Sequence, residues 1–401
     1  MKLLFLDQSG KLGGAELCLA DIAQPFQSTC LVGVFAEGAF PEYLRDRNIP
    51  VKILTDQTLR VQKASGLLAG LKSLNRLVPL IANVAQLSQQ YDLIYANTQK
   101  ALVVGAIASL LSRRPLVYHL HDIVSPEHFS ATNRRIIITL ANRAALVIAN
   151  SQSSREAFVQ AGGRADRVRI VYNGFCPEAY ASCLDDVVRT QLRDELAAGS
   201  AQAAPQPTGG SQAEPPPFLI GHFSRLSPWK GQHVLIDALQ YCPDSVVALL
   251  VGDALFGEQD YVQQLHQQIK ALHLEHRVKF LGFRSDIPRL MTACDLVAHT
   301  STAPEPFGRV IAEAMLCGTP VVAAAAGGAV ELVEHGQTGW LTPPGDGGAI
   351  ADIIKTCQHQ PNTSTAIAQQ AQTQAAQRFN LDTINAQIAR HLSEALTVGQ
   401  R

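Results

Sequence analysis

Charged residues that suit a phosphorylated ligand stand in two stretches of the second half of the chain. In S-R-L-S-P-W-K-G, Arg225 and Lys230 lie five positions apart around a turn that contains Pro228. Arginine offers paired donors and lysine a mobile positive charge, so together they can hold an anion, although both could also be solvated surface charges. In E-P-F-G-R-V-I-A-E, Glu305 and Glu313 lie eight positions apart. The two stretches together suggest a site for a nucleotide-sugar.

The residues after Glu305 predict a helix that could bind an anion at its first turn. Pro306 suits the first helical position because it lacks an N–H. The amides left free at this positive end of the helix dipole would belong to Phe307, Gly308 and Arg309. A helix over these eight positions would place Glu313 roughly 12 Å beyond Glu305, about the span from a sugar ring across a diphosphate to a ribose. The alternative is an ordinary core helix, because apolar residues recur on one face.

Two further candidate sites follow predicted strands in the first half of the chain. Gly13 and Gly14 lie between a strand and a helix, where backbone often approaches a phosphate; a plain tight turn is the alternative. In H-L-H-D, the period of two puts His119 and His121 on the same side, with His121 nearer the strand's exit. We expect neither histidine to bind metal, because no third ligand lies at a suitable spacing. A structural role is the alternative for both.

Strands and helices alternate along the chain, which predicts two parallel sheets covered on both faces. The predicted strands of the first half are Lys2–Leu6, Thr29–Phe35, Val51–Leu54, Asp92–Tyr95, Leu116–His119, Ala145–Ala149 and Arg169–Tyr172. Those of the second half are Phe218–Phe223, Val246–Val251, Val278–Leu281, Leu296–His299 and Pro320–Ala323. Ligands gather at the carboxyl ends of such strands. In the first half these ends bring together Asp7–Gly14, Asn97–Gln99, His119–Ile123 and Asn150–Ser151.

A low-complexity stretch rich in Ala, Gln, Pro and Gly divides the chain in two. It predicts a linker over 196–217, between an N-terminal domain of 1–195 and a C-terminal domain of 218–375. The final stretch, 376–401, is helical by composition.

The composition is that of a soluble globular protein, and we expect a cytoplasmic one. Of the 401 residues, 47% are hydrophobic and 17% charged, and the net charge of −1 argues against a nucleic-acid partner. The apolar runs are too short to span a bilayer, and Asp7 comes too early for a signal peptide. The eight cysteines form no C-x-x-C pair, so they predict reduced thiols.

The stretch 60–88 has two interpretations. Apolar residues recur at helical spacing with basic residues on the polar side, which fits surface helices packed on the sheet. The same pattern fits peripheral contact with anionic lipid on the inner face of the membrane or with a lipid-linked acceptor. In either case Pro79 is expected to end the helical run.

These motifs resemble those of the retaining GT-B glycosyltransferases of family 4 type, which include glycogen and sucrose synthases and bacterial mannosyltransferases. Glu305 and Glu313 match the E-x7-E signature, and G-T-P-V-V, G-G-A-V-E and G-Q-T-G-W-L follow in order. The R-L-x-x-x-K-G stretch beginning at Arg225 matches the family's diphosphate motif. The resemblance implies an α/β GT-B fold, with two Rossmann-like doubly wound domains facing across a cleft, and a final helix, 376–401, that returns to the first domain. It covers nearly the whole chain and is stronger after residue 218.

The resemblance also implies roles for the candidate residues. Diphosphate binding would fall to Arg225, Lys230 and the amides of Phe307, Gly308 and Arg309. Glu305 would bind hydroxyls of the donor sugar and Glu313 the ribose, with the base beside Gly282 and Phe283. In the first domain, Gly13 and Gly14 would face the donor phosphates and the acceptor, and His121, with His119 as the alternative, would contact the donor sugar.

The activity that the resemblance implies is transfer of a hexose from a UDP-sugar, favoured over a GDP-sugar, to the hydroxyl of a carbohydrate or lipid-linked acceptor, with retention of configuration. Because the sequence has no D-x-D motif, we expect no metal and no other cofactor. Two alternatives stay open. A nucleotide-sugar 2-epimerase would need acid/base carboxylates from the first domain, for which the sequence offers no convincing set. The other is a nucleotide-sugar-binding protein without turnover.

Overall fold

The computed structural model of the protein describes residues 1–55, 67–181, 186–198, 216–254 and 257–399. The chain forms two compact units. One unit contains Met1–Gly174 together with Leu381–Arg401, and the other contains Phe175–Asn380.

The first unit is built on a sheet of seven parallel strands. In chain order these are β1 (Leu3–Asp7), β2 (Cys30–Val34), β3 (Val51–Ile53), β4 (Leu93–Ala96), β5 (Leu116–Leu120), β6 (Leu146–Ala149) and β7 (Val168–Ile170). Their order across the sheet is β3-β2-β1-β4-β5-β6-β7, so β1 lies at its centre beside β2 and β4. All seven strands predicted for this half are present, with ends shifted by at most two residues.

Strand β1 illustrates why both faces of this sheet are covered. All five of its residues are buried. Leu4 and Leu6 join one apolar cluster, whereas Leu3 and Phe5 join another. Because successive side chains of a strand point to opposite faces, the two clusters lie on the two faces of the sheet.

Helices connect successive strands of this unit. They are α1 (Gly14–Ala23), α2 (Ala39–Asp46), α3 (Leu67–Ser88), α4 (Gln99–Ser112), α5 (Ala131–Ala141) and α6 (Gln152–Gln160).

The prediction that Pro79 ends its helical run is wrong, because Pro79 lies inside α3. Its ring is exposed, whereas Leu80 and Val84 on the same helix are buried in the core. A proline removes one backbone hydrogen bond from a helix, but tertiary packing of the apolar face supplies most of a helix's stability. The first part of the predicted run, 60–66, lies outside the described residues.

The second unit contains a six-stranded parallel sheet. Its strands are β8 (Phe218–Phe223), β9 (Val246–Val251), β10 (Val278–Gly282), β11 (Leu296–His299), β12 (Val321–Ala324) and β13 (Trp340–Thr342). Their order is β10-β9-β8-β11-β12-β13. The first five match the predicted strands. The sixth is not among them, and it pairs in parallel with β12.

Short and long helices flank this sheet. They are α7 (Glu178–Ala181), α8 (Asp186–Ala198), α9 (Gln232–Leu239), α10 (Gln259–Ala271), α11 (Ile287–Ala293), α12 (Arg309–Leu316), α13 (Ala329–Leu332), α14 (Gly347–His359) and α15 (Pro361–Arg378). With a parallel sheet in each unit, the predicted Rossmann-like architecture is confirmed.

The structure divides the chain earlier than the linker composition indicates. Residues 175–195 belong to the second unit, although the sequence places them in the first domain. The guanidinium of Arg193, on α8, makes two 2.9 Å hydrogen bonds to the carboxylate of Asp295, which also accepts from the Leu219 backbone N–H at 2.8 Å. This bidentate pair attaches α8 to the sheet of the second unit. Most of the predicted linker, 199–215, lies outside the described residues.

The last helix, α16 (Leu381–Gly399), belongs to the first unit. Ile384, Ile388 and Leu392 recur at helical spacing and are buried in the same cluster as Leu3 and Phe5. No helix within the described ranges is both long and apolar enough to cross a membrane.

Candidate functional site

The loop between β11 and α12 holds Glu305 close to the loop after β12. Glu305 pairs with Gly327 in an isolated parallel bridge, and the Gly328 N–H donates to the Glu305 carbonyl at 2.6 Å. Gly327 has φ +66°, and a Cβ there would lie 2.3 Å from the Glu305 carbonyl oxygen. Only glycine permits this approach of the two backbones. The G-G pair seen in the sequence therefore positions Glu305.

Three donors converge on one oxygen of the Glu305 carboxylate. Its Oε2 lies 2.7 Å from Lys230 Nζ, 3.1 Å from His299 Nε2 and 3.2 Å from Ser301 Oγ. Within the described residues every hydrogen bond of this carboxylate falls on Oε2. The other oxygen, Oε1, is thus the one available to hydroxyls of a ligand.

The same contacts keep Glu305 ionised. Burial by itself would raise the pKa of this carboxyl, but the charge of Lys230 and the hydrogen bond from His299 outweigh it, so the pKa lies well below its usual range. Because a carboxylate only accepts, His299 Nε2 must carry the proton of that hydrogen bond. Sequence reasoning did not select His299 or Ser301. Their positions six and four residues before Glu305, at the exit of β11, are the signal that could have found them.

Lys230 and Arg225 lie on the segment that follows β8. The guanidinium carbon of Arg225 is 5.8 Å from the centre of the Trp229 ring, and Lys230 Nζ is 4.0 Å from it. The turn that the sequence indicates at Pro228 is a short 3-10 turn, Pro228–Lys230, and α9 begins at Gln232. The structure thus brings the two predicted cations to one ring.

Gly231 allows this segment to reach Glu305. It has φ +74°, and a Cβ there would lie 1.9 Å from the carbonyl oxygen of Thr300, just beyond β11. The close approach of these two backbones carries Lys230 to the Glu305 carboxylate.

The helix after Glu305 begins later than predicted. Helix α12 starts at Arg309 rather than Pro306, because Gly308 has φ +95° and precedes the helix as its N-cap. The first amides of the helix therefore belong to Arg309 and Val310, and not to Phe307 and Gly308. The Phe307 side chain is buried against Phe175 and Phe379, with ring centres 6.4 and 5.8 Å away. The predicted anion site is shifted by two residues along the chain.

Only part of the interval between the two glutamates is helical. From Arg309 to Glu313 the helix rises about 6 Å, so the predicted separation of roughly 12 Å has no basis in a continuous helix. Glu313 Oε1 pairs with Arg309 at 3.3 Å, and the Arg309 guanidinium lies 4.6 Å from the centre of the Phe175 ring. Both side chains are positioned by α12.

The predicted base pocket follows β10. Gly282 has φ +64°, and the Phe283 side chain is 67% exposed. The Phe283 N–H donates to Asp253 Oδ2 at 3.2 Å, and the Asp253 carbonyl accepts from the Leu226 N–H at 3.0 Å. Asp253 therefore links this loop to the one that carries Arg225. An exposed aromatic ring held this way can stack on a base.

In the first unit, Asn97 connects the predicted site residues. Its Nδ2 donates to Asp7 Oδ2 at 2.7 Å and to the Ala15 carbonyl at 3.1 Å, and its Oδ1 lies 2.8 Å from His121 Nε2. Gly13 is the N-cap of α1 and Gly14 its first residue. A Cβ on Gly13 would lie 2.7 Å from Glu16 Oε2. The Glu16 carboxylate thus folds back over the glycine loop.

Two carboxyl groups of this unit titrate close to neutral pH. Burial raises the pKa of Asp7 to about 6. Burial, and then the neighbouring Asp7 charge, raise the pKa of Glu16 to about 7. Sequence reasoning found no carboxylate set in this half, because the burial that perturbs these groups comes from the fold.

His119 and His121 have different surroundings. His119 is buried, its Nδ1 lies 2.7 Å from the Tyr95 hydroxyl, and burial followed by the neighbouring His121 keeps its pKa well below the usual value. His121 is half-buried, and its ring centre is 3.9 Å from that of His119. The sequence spacing offered no third ligand for this pair, but the structure places Cys18 beside it, with the ligand atoms of all three within 4.8 Å of one another.

Comparisons with known proteins agree with this architecture. A family model described as "Glycosyl transferases group 1" matches residues 210–374, and one described as "Glycosyltransferase Family 4" matches residues 12–179. The chain is similar to the Anabaena protein Alr3699/HepE, whose crystal structure contains UDP-glucose. The two are 59% identical over 98% of this chain and 100% of that one, with a TM-score of 0.87.

Two more distant similarities were found. Sucrose-phosphate synthase from Thermosynechococcus elongatus shares the fold, with 18% identity over 99% of each chain and a TM-score of 0.80. N-acetyl-alpha-D-glucosaminyl L-malate synthase of Bacillus anthracis is 34% identical over 134 residues, which are 33% of this chain and 34% of that protein. The chain thus matches about a third of the length of this curated relative. The two family models and the full-length similarity to HepE establish that the chain belongs to the GT-B glycosyltransferases of the group 1 and family 4 type.

Proposed function

We propose that this glycosyltransferase moves a hexose from a UDP-sugar to an acceptor hydroxyl, with retention of anomeric configuration and without a metal. The observation that carries the proposal is the convergence of Lys230, His299 and Ser301 on Oε2 of Glu305. A buried carboxylate oriented by three donors, beside a cation at the end of a parallel strand, suits a ligand that combines hydroxyls with phosphate. UDP-glucose is the first donor to test, since HepE was crystallised with it.

In the second unit the proposal assigns charge compensation to protein groups. Arg225, Lys230 and the first amides of α12 would neutralise the charge that develops on the leaving UDP, and Glu305 would hold hydroxyls of the sugar. Preorganised charge of this kind is usually the largest catalytic contribution. Glu313 would accept from the ribose hydroxyls, and the base would lie beside Gly282 and Phe283.

In the first unit we assign His121 to the donor sugar, with Gly13 and Gly14 beside the phosphates and the acceptor. The acceptor hydroxyl attacks from the face that the diphosphate leaves, and an oxygen of that diphosphate takes its proton. We therefore assign no protein base. The acceptor class that the proposal favours is a carbohydrate or a lipid-linked sugar, with peripheral membrane contact in the latter case.

The test is a transfer assay with UDP-glucose and a panel of acceptors, with the product analysed by NMR. We expect an α-linked product from the wild type. For Lys230→Ala we expect a loss of about 10²–10³-fold in kcat, the usual effect of removing one charge-stabilising donor. Near-normal transfer by both Lys230→Ala and Glu305→Ala would refute the site assignment. A β-linked product would refute retention.

Metal independence is tested with the same assay after treatment with a chelator. Because Arg225 and Lys230 supply the positive charge, we expect the rate of transfer to stay near that of the untreated enzyme. Abolition by chelator and recovery on addition of Mn²⁺ would contradict this part of the proposal.

The carboxyl groups of Asp7 and Glu16 give a specific reason to keep a second candidate, a nucleotide-sugar 2-epimerase. Both have a raised pKa, and Asn97 bridges Asp7 to His121. Groups that titrate near neutral pH can remove and return a proton. NMR of UDP-sugars incubated without acceptor separates the candidates. An epimerised UDP-sugar would favour the epimerase, and an unchanged one together with transfer in the presence of acceptor would favour the glycosyltransferase.

A further inference from the structure

Three metal-binding side chains that are distant in sequence meet in the first unit. Cys18 lies on α1, His119 on β5 and His121 just beyond that strand, and their ligand atoms all lie within 4.8 Å of one another. Cys18 and His119 are 3% and 1% exposed, so the group lies at the edge of the core rather than on the surface. One thiol and two imidazoles form a ligand set typical of zinc, and three protein ligands leave a fourth position for water or another group.

One buried nitrogen of this cluster has no hydrogen-bond partner among the described residues. The Nε2 atom of His119 is buried and has no hydrogen-bond partner among the described residues, although its Nδ1 lies 2.7 Å from the Tyr95 hydroxyl. A buried polar atom without a partner is costly, and its presence in a folded protein calls for an explanation. If the Nδ1–H donates to the Tyr95 oxygen, Nε2 presents a lone pair toward the cluster, and a metal ion would satisfy it.

Both histidines are also held by a second residue, as is usual around metal ions. His119 Nδ1 lies 2.7 Å from the Tyr95 hydroxyl, and His121 Nε2 lies 2.8 Å from Asn97 Oδ1. The Cys18 thiol donates to Asn173 Oδ1 at 3.3 Å, a hydrogen bond that is given up when the thiol proton leaves. Metal-binding histidines almost always use their other ring nitrogen in this way, which orients the ring.

We propose that Cys18 Sγ, His119 Nε2 and a ring nitrogen of His121 bind a divalent transition-metal ion of the zinc class. On binding, the thiol proton leaves to solvent and the sulfur forms a bond to the metal, without change of oxidation state. The ligands differ from the groups proposed to compensate the charge of the diphosphate, because all three belong to the first unit and none of them is Arg225, Lys230 or Glu305. His121 is shared with the donor-sugar contact of the proposed function, so the test below measures metal binding and not transfer.

The test uses the full chain, freed of metal by chelator and titrated with Co²⁺ under reducing, oxygen-free conditions without any nucleotide-sugar. Co²⁺ takes zinc positions and absorbs visible light, and a thiolate ligand adds a charge-transfer band in the near ultraviolet. We expect both features to saturate at about one Co²⁺ per chain, and Zn²⁺ to abolish them by displacement. We also expect the metal to raise the melting temperature by mass action.

Variants identify the ligands. Cys18→Ser is expected to lose the charge-transfer band, whereas Cys30→Ser, which changes another buried cysteine of the same unit, is expected to keep it. His121→Ala changes a half-buried residue that should not prevent folding, and it is expected to weaken Co²⁺ binding at least about 10- to 100-fold, the loss typical even for an outer-shell partner. Any one of three results would overturn the proposal. These are a charge-transfer band of equal strength in Cys18→Ser and the wild type, an unchanged affinity of His121→Ala for Co²⁺, and the absence of the band from the wild type. None of these readouts depends on transfer activity, so the failure of this proposal is distinguishable from that of the proposed function.

Discussion

At the scale of single residues, the two oxygens of the Glu305 carboxylate differ in their hydrogen-bond partners. Lys230, His299 and Ser301 all donate to Oε2, and the side chain is only 12% exposed. A carboxylate fixed through one oxygen presents the other in a defined direction, which is how a binding group is preorganised. If Glu305 binds the sugar as proposed, we therefore expect the donors to Oε2 to affect activity even where they do not touch the substrate.

His299 is the donor whose effect is easiest to isolate. We expect His299→Leu to lower kcat/KM for UDP-glucose by about 10- to 100-fold, because a hydrogen bond to a charged group contributes about 1.5–3 kcal/mol. His299→Gln offers an amide N–H to the same oxygen and should retain most of the activity. Steady-state kinetics of both variants, with circular dichroism as a check on folding, measures the effect. Equal losses in the two variants would mean that the hydrogen bond to Glu305 is not the reason.

Glu313 should affect binding of the donor rather than the chemical step. Its role in the proposal is to accept from the ribose hydroxyls, a contact that is the same in the ground state and the transition state. We expect Glu313→Gln to raise the KM for UDP-glucose by about 10-fold with kcat little changed, because a neutral amide forms weaker hydrogen bonds than a carboxylate. Glu334→Gln, at an exposed position of the same unit, is the control. A fall in kcat at unchanged KM would argue against ribose binding.

At the scale of elements, the ends of neighbouring strands are brought together by backbone contacts that only glycine allows. A Cβ on Gly231 would lie 1.9 Å from the Thr300 carbonyl oxygen, and one on Gly327 would lie 2.3 Å from that of Glu305. These two contacts join the segments after β8, β11 and β12. The positions of Lys230 and Glu305 thus depend on the packing of these loops as well as on the contact between the two side chains.

Gly327→Ala tests this at the Glu305 loop. Residue 327 has φ +66°, and the new Cβ would lie 2.3 Å from the Glu305 carbonyl oxygen, so the loop must move or become strained. We therefore expect a loss of about 1–3 kcal/mol in the free energy of unfolding, together with loss of transfer. Gly348→Ala is the matched control. Gly348 lies in the first turn of α14, where the heavy atom nearest to a Cβ would be Asp346 Oδ1 at 3.4 Å, so alanine should be neutral or stabilising. Urea unfolding and the transfer assay measure both effects, and full activity of Gly327→Ala would contradict the role given to this contact.

At the scale of the whole molecule, buried histidines tie stability to pH. His222, on β8, is buried, and its Nε2 lies 3.0 Å from Thr300 Oγ1 and 3.2 Å from the Lys230 carbonyl oxygen. Burial, and then the neighbouring His299, lower its pKa to about 3. An unfolded histidine titrates near 6.5. The stability that this group contributes is therefore fully present above pH 6.5, and it is lost as the pH falls toward 3, because the unfolded chain then binds a proton that the folded chain does not.

We expect His222→Gln to reduce the pH dependence of unfolding in the second unit. Between pH 7 and pH 5 the wild type should lose about 2 kcal/mol more free energy of unfolding than the variant, which is the cost of about 1.5 pKa units. Both tryptophans of the chain, Trp229 and Trp340, lie in this unit, so urea unfolding followed by tryptophan fluorescence reports on it. His276→Gln, at an exposed histidine, should behave as the wild type. If the free energy of unfolding fell equally with pH in His222→Gln and the wild type, the pH dependence would not come from His222.

The architecture and the motifs could be predicted from the amino-acid sequence because they depend on local patterns. Buried strands such as β8 and β9 appear as short apolar runs, and their alternation with helices permits few arrangements other than parallel sheets. Arg225, Lys230, Glu305 and Glu313 could be selected by residue type and spacing within short stretches.

The features that sequence reasoning missed depend on contacts between distant segments. Helix α12 starts at Arg309 because Gly308 adopts a left-handed conformation, and Glu305 is held by a backbone bridge to Gly327; residue spacing encodes neither feature. Cys18 and His119 are separated by about a hundred positions, and the raised pKa of Glu16 comes from burial and from Asp7. The strands and helices of this glycosyltransferase follow from local periodicity in the sequence. The hydrogen-bond partners and the charge states of its site residues depend on burial and on contacts between loops, and both arise only when the whole chain packs.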